Sequence, residues 1–328
     1  MTGPWPSVSV IMPVRNEEQH LEAAVAAVLA QDYPGEVEVV LAVAPSHDDT
    51  GTIAATLPAS DPRVSVVDNP TGTTPAGLNR AIDAAAGRII ARVDAHAELT
   101  PGYLRRAVEV LDETGAANVG GVQRAVGTTP MQRAVAAAMS SRFGTGDARF
   151  HYGGEPGPID SVYLGVFRAE VLRTLGGFDE RLIRNQDYEL NIRIRAAGEV
   201  VWFDPRLEVV YRPRASLRGL ASQYWQYGRW KRVTLREHPG SLRWRQVAPP
   251  AAVLANLAGV LGAVGSPWTL LMPGVYLLGV GAASLMVAGR DLGLLVRLPA
   301  VFATMHHAWG FGFLVGAPRG TRPGSGSV

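Results

Sequence analysis

Short apolar runs alternate with amphipathic segments over the first 93 residues, and this alternation constrains the fold more than any other feature of the chain. The apolar runs predict strands at Ser7–Pro13, Val37–Val43, Val64–Val67 and Arg88–Val93. Apolar residues at helical spacing predict helices at Glu17–Ala30 and Pro75–Ala86. Apolar strands that alternate with helices are typical of a doubly wound parallel sheet. We therefore expect an α/β fold.

Polar residues follow the carboxyl ends of the predicted strands. In sheets of this type, ligands bind in the crevice beyond those ends. The polar groups are Arg15-Asn16-Glu17, Ser46-His47-Asp48, Asp68-Asn69 and Asp94-Ala95-His96. We therefore expect a ligand site at this edge of the sheet.

Three long apolar segments lie in the last third of the chain, at Val247–Gly265, Trp268–Ala288 and Leu292–Val315. A helix that crosses a bilayer needs about 20 apolar residues. The first two segments meet this length, whereas Arg297 and His306 interrupt the third. We expect two or three membrane-spanning helices, with three favoured and Val328 outside the cell. The alternatives are an interfacial third helix or a buried helical core.

A basic stretch precedes the apolar segments. From Arg212 to Arg245 the chain has nine Arg and Lys residues and one acid, Glu237. Such a stretch marks the cytoplasmic side of a membrane, so we expect a multi-pass protein of the cytoplasmic (inner) membrane, no signal peptide and no nucleic-acid partner. The chain has no cysteine, which excludes disulfides and thiolate metal sites.

The segment Arg92-Val93-Asp94-Ala95-His96 has the residue types of a metal site. Asp94 and His96 stand two residues apart at a strand end, where both side chains could reach one ion. A carboxylate suits Mg²⁺ and Mn²⁺, and imidazole is tolerated best by Mn²⁺. The alternative is an ordinary polar strand end.

Two further motifs carry candidate chemistry. Asp187 lies in Arg184–Leu190, at a predicted helix start, and could accept a proton from a hydroxyl; alternatively, it only stabilises the helix dipole. In Gln226–Trp230, Arg229 could bind a phosphate and Trp230 could form the floor of an acceptor site. The alternative for that motif is anchoring at lipid headgroups, together with Trp225, Lys231 and Arg232.

Taken together, these motifs resemble a known family. In chain order they are Val8–Glu17 (VSVIMPVRNE), Ser46-His47-Asp48, Asp94-Ala95-His96, Gly176–Glu180, Gln186-Asp187 and Gln226–Trp230. The series is similar to the inverting family 2 glycosyltransferases, whose nucleotide-binding, Rossmann-like fold is called GT-A. The closing motif matches the family's Gln-x-x-Arg-Trp signature. The chain is particularly similar to the branch that makes succinoglycan-type exopolysaccharides.

The resemblance implies transfer of one sugar, such as glucose, from a nucleotide-diphosphate sugar to a lipid-linked or polysaccharide-precursor acceptor. A UDP-sugar is the expected donor, and the α-linked donor would give a β-linked product. The implied metal ligands, for Mn²⁺ or Mg²⁺, are Asp94 and His96, and the implied general base is Asp187. The expected donor-binding residues are Pro13, Arg15, Glu17, Asp48, Asp68, Asn79 and Asp94. The residues expected near the acceptor and diphosphate are Gln186, Gln226, Arg229 and Trp230.

The chain departs from the family pattern at three positions. The family usually has Tyr where this chain has Arg15, Asp where it has Ala44, and a second Asp where it has His96. The first two departures leave base recognition open. Two other functions remain as alternatives: a processive polysaccharide synthase and a non-catalytic membrane scaffold with a degenerate GT-A fold.

These expectations divide the chain into four segments. Residues 1–125 are predicted to be the nucleotide-sugar-binding half of the GT-A domain, and residues 126–245 the acceptor-binding half with basic interfacial helices. Residues 246–316 are predicted to be the two or three membrane helices, with membrane lipid as an expected partner, and the Gly/Pro/Ser-rich residues 317–328 a disordered tail.

Overall fold

One mixed sheet of nine strands forms the centre of the α/β region in a computed structural model that describes residues 4–317. Its strands are β1 Val8–Val14, β2 Val37–Val43, β3 Val64–Asp68, β4 Ile89–Arg92, β5 Glu98–Leu99, β6 Asn118–Ala125, β7 Gly157–Pro158, β8 Tyr163–Arg168 and β9 Val201–Tyr211. The strand order is β3-β2-β1-β4-β8-β6-β9-β5, and β7 pairs with β9.

Twelve α-helices accompany the strands within residues 4–317. They are α1 Leu21–Leu29, α2 Thr50–Ser60, α3 Thr74–Ala84, α4 Tyr103–Thr114, α5 Pro130–Met139, α6 Arg142–Thr145, α7 Ala169–Thr174, α8 Gln186–Ala196, α9 Leu217–Glu237, α10 Trp244–Gly262, α11 Leu271–Ala288 and α12 Leu292–Val315. The predicted tail, apart from Ala317, lies outside the described residues.

The described chain divides into two compact units. The first takes in residues 4–123 and 153–211, and the second takes in residues 124–152 and 212–317. These units do not follow the predicted boundaries, because β8, α7, α8 and β9 belong with the sheet. The functions assigned to residues 1–125 and 126–245 stay predictions.

The sheet is parallel in its first half only. β1 is parallel to β2 and β4, and β2 is parallel to β3, as the alternation predicts. β8 then pairs antiparallel with both β4 and β6. The expected parallel sheet is therefore confirmed for the four strands from which it was inferred, and the strands after β4 add antiparallel pairs. An apolar run has the same pattern in either direction, so its sequence does not reveal which way it runs.

Two apolar clusters cover the two faces of the sheet. Alternate residues of a strand point to opposite faces, so Val10 and Met12 of β1 pack into one cluster while Ile11 packs into the other. The first cluster includes Leu104 of α4, and the second includes Leu190 of α8. Coverage on both sides buries β1 and β4 and makes their carboxyl ends a rigid platform.

The second unit contains the apolar helices, and several of their large side chains are exposed. The most exposed are Val264, Trp268, Leu278, Leu292 and Val296. In the part of the chain that the structure describes, one helix is long and apolar enough to cross a membrane, judged by length and composition: Pro267–Ala288. Helix α10 is less apolar than this helix because it contains two prolines and several polar residues. Helix α12 is less apolar because it contains Arg297 and two histidines.

Helices α9 and α12 of the second unit pack at very close range. A Cβ added at Gly228 would lie 2.1 Å from the Trp309 carbonyl oxygen, and one added at Gly312 would lie 2.2 Å from the Trp225 carbonyl oxygen. Both glycines are therefore required by the close approach of the two backbones.

Gly228→Ala should destabilise the helical unit. The added methyl forces α9 away from α12, and overpacking of this kind typically costs about 1–3 kcal/mol, which offsets the helix propensity that alanine gains. Thermal unfolding in detergent measures the change. Gly274→Ala in α11 is the matched control, because nothing lies within 4 Å of the added Cβ there. Equal melting temperatures for the Gly228 variant and the wild type would contradict the packing.

Candidate active site

The loops after β1 and β2 are joined by hydrogen bonds at the carboxyl edge of the sheet. The backbone N–H of Asn16 donates to Oγ of Ser46 at 3.0 Å, and Oδ1 of Asn16 accepts from the His47 N–H at 2.9 Å. Asn16 has a φ of 54°, a left-handed conformation that asparagine tolerates better than most residues. These bonds set the path of the chain from β1 towards Glu17.

Asp48 holds the same loops in place. The hydroxyl of Thr50 donates to Oδ1 of Asp48 at 2.6 Å and accepts from the Glu17 N–H at 2.7 Å. The hydrogen bond from the Thr50 side chain is the main reason that the pKa of Asp48 is lowered. The predicted donor-binding residues Glu17 and Asp48 are thus both hydrogen-bonded to the Thr50 hydroxyl.

Arg92, the last residue of β4, lies between two carboxylates. Its Nη1 donates to Oδ1 of Asp187 at 2.5 Å, and its Nε and Nη2 donate to Oδ1 of Asp94 at 3.1 and 3.0 Å. The guanidinium side chain is only 5% exposed. Burial disfavours its charge, but Asp187 and Asp94 outweigh that effect, so the pKa of Arg92 is raised.

The structure therefore brings the predicted metal ligand and the predicted base to one side chain. Asp94 follows β4, whereas Asp187 is the second residue of α8, 95 residues away from Arg92 in the sequence. Among residues 4–317, Oδ2 of Asp94 and Oδ2 of Asp187 have no hydrogen-bond partner. Each carboxylate can offer this second oxygen to a ligand.

Asp187 is held by a contact outside its own helix. Its Oδ1 bonds Arg92 on β4, and its side chain is 35% exposed. Asn185, the N-cap of α8, has a φ of 63° and makes no side-chain capping bond. The alternative of a carboxylate that serves only its helix start does not explain the bond to Arg92. Gln186, beside Asp187, is buried.

His96 and Glu17 form a second polar pair. Nδ1 of His96 lies 2.9 Å from Oε1 of Glu17, and the His96 side chain is 43% exposed. Asp94 and His96 were expected to share one ion, but their hydrogen bonds go to different partners. No group of three or more His, Asp or Glu side chains arranged to hold a metal occurs within the described ranges.

The donor set is still suitable for a divalent ion that also binds phosphate. Such ions commonly use one or two carboxylates of the protein and complete their coordination with phosphate oxygens and water. Oδ2 of Asp94 is a hard oxygen ligand without a partner in the described structure. A protein site with few ligands is therefore compatible with Mn²⁺ or Mg²⁺.

Asn79 is occupied by the loop that precedes α8. Its Nδ2 donates to the Phe178 carbonyl and to Oε1 of Glu180, both at 2.9 Å, and its Oδ1 accepts from the Phe178 N–H at 2.8 Å. Gly177, with a φ of 70°, packs against this amide. Asn79 thus orders the Gly176–Glu180 segment, and its donor-binding role stays a prediction.

The other predicted donor-binding residues lie at the same edge of the first unit. Pro13 is partly buried in β1, and Asp68 is the exposed last residue of β3. Arg15 is exposed and donates to the Gly72 carbonyl at 3.3 Å. Ala44 is buried at the end of β2. Position 44 offers no carboxylate, in contrast to the Asp that the family usually has there.

Gln226, Arg229 and Trp230 lie on α9 in the second unit. Nε of Arg229 donates to the Gly316 carbonyl at 3.0 Å, and Trp230 is buried. The alternative of headgroup anchoring stays a prediction, although two of its residues have partners within the protein. Lys231 is buried and donates to the Ser241 carbonyl at 2.9 Å, and Arg232 donates to the Phe313 carbonyl at 3.2 Å. Both cations bind the protein itself.

Comparison with known proteins decides the family. The family model for glycosyl transferase family 2 matches residues 9–176. The succinoglycan biosynthesis protein ExoA of Rhizobium meliloti (strain 1021) is 33% identical over 312 residues, which cover 93% of each chain. The chain belongs to glycosyl transferase family 2. It is therefore an enzyme of the glycosyltransferase class, and the resemblance seen in the motifs is confirmed.

A more distant relative agrees with this membership. A dolichyl N-acetyl-alpha-D-glucosaminyl phosphate 3-beta-D-2,3-diacetamido-2,3-dideoxy-beta-D-glucuronosyltransferase of Methanococcus voltae is 23% identical over 324 residues, 95% of this chain and 98% of that protein. It matches this family 2 glycosyltransferase along nearly its whole length.

Solved structures show the same fold. The mannosyltransferase PcManGT of Pyrobaculum calidifontis, solved with GDP-Man and Mn²⁺, matches with a TM-score of 0.62 at 20% identity and covers 94% of this chain and 86% of its own. TarS 1–349 of S. aureus, solved with UDP, matches with a TM-score of 0.50 at 15% identity and covers 94% of this chain and 90% of its own. The GT-A-like α/β fold is therefore confirmed.

Proposed function

We propose that the protein is a membrane-anchored, inverting glycosyltransferase that moves a single hexose, such as glucose, from a nucleotide-diphosphate sugar to a lipid-linked or polysaccharide-precursor acceptor. The observation that carries this proposal is the meeting of Asp94 and Asp187 on Arg92, each with its Oδ2 unpartnered in the described structure. The nearly full-length similarity to a succinoglycan biosynthesis protein supports a role in cell-surface polysaccharide synthesis.

The donor site lies at the carboxyl edge of β1, β2, β3 and β4. Two structural neighbours were solved with GDP-Man or UDP, which supports a nucleotide-diphosphate donor. Pro13, Arg15, Glu17, Asp48 and Asp68 lie in or after strands of this edge. We favour a UDP-sugar, although Ala44 leaves the base contact to other groups.

Asp94 and His96 would hold a divalent ion against the donor diphosphate. The PcManGT structure contains Mn²⁺. When bound, such an ion neutralises the negative charge that develops on the leaving diphosphate. The protein's part is to supply the Asp94 carboxylate at a rigid strand end.

Asp187 acts as the general base. Its Oδ2 takes the proton from an acceptor hydroxyl while that hydroxyl oxygen attacks the anomeric carbon. The bond between the anomeric carbon and the diphosphate oxygen breaks, and its electron pair leaves with the nucleoside diphosphate. One displacement inverts the anomeric centre, so an α-linked donor yields a β-linked product. Gln186, Gln226, Arg229 and Trp230 are proposed to contact the acceptor or the diphosphate.

Asp94→Ala should abolish Mn²⁺-dependent donor binding, because the proposed site loses its carboxylate. His96→Asp should keep donor binding and shift the preference towards Mg²⁺, since a carboxylate is the harder ligand. Calorimetric titration of UDP-glucose with each ion measures both effects. Asp61→Asn, which alters an exposed ion pair with Arg63, is the control and should bind as the wild type does. Undiminished Mn²⁺-dependent binding by the Asp94 variant would contradict the assignment.

Asp187→Asn should lower the transfer rate by about 10²–10⁴-fold, the usual effect of losing a general base. Donor affinity should change little, because the asparagine oxygen can still accept the bond from Arg92. Steady-state transfer to a lipid-linked acceptor, combined with donor titration, separates the two effects. A near wild-type rate would show that Asp187 is structural.

Membrane anchoring is proposed to come from α10–α12. Exposed apolar side chains such as Val264 and Leu278 need a nonpolar environment, and the basic residues of α9 favour the cytoplasmic face. The polar residues of these helices face one another: Oη of Tyr276 lies 3.2 Å from Nδ1 of His306, and Nδ2 of Asn256 lies 3.1 Å from Nε2 of His307. Polar groups that face other helices are compatible with a lipid environment.

The carboxyl end of α12 is proposed to stay on the cytoplasmic side. Arg229 and Arg232 of α9 donate to the carbonyls of Gly316, Phe313 and Leu314. An Arg at the centre of a bilayer costs about 2.5–3.5 kcal/mol on insertion scales, so α9 and the end of α12 should share one side. With both on one side, the chain would cross the membrane an even number of times between α9 and the end of α12, instead of the expected three times.

A reporter that is active only in the cytoplasm, fused after Val328, should therefore give a signal. A reporter that is active only outside the cytoplasm, fused at the same point, should be silent. Since the chain has no cysteine, Val264→Cys alone can show by impermeant maleimide labelling whether the α10–α11 connection lies outside. Signal from the second reporter would restore the three-span topology.

A further inference from the structure

Arg92 is the residue that the proposed mechanism leaves without a role. Its three hydrogen bonds all go to Asp94 and Asp187. A buried charge is costly unless it is paired, and here both partners belong to the proposed chemistry. The ion pairs therefore do more than balance a buried cation.

Arg92 is also rigidly mounted. It ends β4, which lies between β1 and β8 in the sheet, and it is paired in register with Ile11. A guanidinium presents its N–H donors in one plane with a fixed fork geometry. Two carboxylates bound to different edges of that plane are thereby fixed relative to each other and to the sheet.

The charge of Arg92 has a second consequence. Asp94 and Asp187 bound to one guanidinium are two carboxylates at close quarters, and such a pair attracts a divalent cation. The positive charge between them opposes that attraction. Without Arg92, an ion could be held by both carboxylates, and the proton acceptor would then be a metal ligand.

We propose that Arg92 is a positioning residue that keeps Asp187 as the base by holding it apart from the divalent ion at Asp94. This inference rests on the proposed function. It predicts opposite effects of losing Arg92: Mn²⁺ binds more tightly, while sugar transfer becomes slower. A residue that only stabilised the fold would weaken both.

Arg92→Gln and Arg92→Lys separate charge from geometry. Glutamine removes the charge, so the affinity for Mn²⁺ alone should rise by about tenfold, as expected for removing one nearby cation at a partly screened site. The kcat of the Arg92→Gln variant should fall by at least about 10²-fold, as for loss of the base. Lysine keeps the charge but not the planar fork, so Mn²⁺ affinity should stay near wild type while kcat falls.

Electron paramagnetic resonance of Mn²⁺ without donor measures affinity, and steady-state transfer measures kcat and KM. Circular dichroism checks that each variant is folded. Arg63→Gln, which removes an exposed Arg bound to both oxygens of Asp61, is the matched control and should change neither quantity. If Arg92→Gln does not fold, two other variants test the inference: Arg92→Lys and Arg92→Gln/Asp187→Asn. The double variant removes one carboxylate charge together with the cation.

Unchanged or weaker Mn²⁺ binding by a folded Arg92→Gln variant would overturn the inference. A kcat within about threefold of wild type for Arg92→Lys would also overturn it, since about 10²-fold is expected from a misplaced base. For Arg92→Gln/Asp187→Asn, Mn²⁺ affinity near wild type supports the inference, and affinity about tenfold above wild type contradicts it, because the ion would then bind tightly without Asp187. Wild-type protein that transfers no sugar would instead show that the proposed function has failed.

Discussion

The ion pairs of Arg92 with Asp94 and Asp187 are the interaction on which the rest of the active site depends. The guanidinium is buried at the end of a central strand, where water cannot compete for its N–H groups. Such a group is stable only with partners, and both partners here are carboxylates at the carboxyl edge of the sheet. The same contact therefore stabilises a buried charge and sets where the two carboxylates of the proposed site lie.

The parallel half of the sheet was predictable because its signal is local. The apolar runs that became β1, β2 and β4 are bounded by turns and separated by helical spacing, and the polar residues after them do lie at one edge. The motifs around Asp94 and Asp187 were also recognisable in the sequence. Family membership followed from their order, and the comparisons confirmed it.

Contacts between distant segments were not predictable. Nothing local in the sequence shows that β8 runs antiparallel to β4, that Asp187 bonds Arg92, or that His96 pairs with Glu17. Arg92 stood in the metal motif without an assigned role, and an arginine in an apolar strand was the signal that could have marked it. Lys231 illustrates the converse: its basic neighbourhood suggested lipid headgroups, but its ammonium is buried against Ser241.

The most direct measurement of this account is the position of Mn²⁺ in crystals grown with Mn²⁺ and UDP, located by anomalous scattering. We predict an anomalous peak at coordination distance from Asp94, with Asp187 outside the coordination sphere and Arg92 still bonded to both carboxylates. A peak coordinated by Asp187, or an Arg92 side chain turned away from the two carboxylates, would contradict the separation of metal ligand and base.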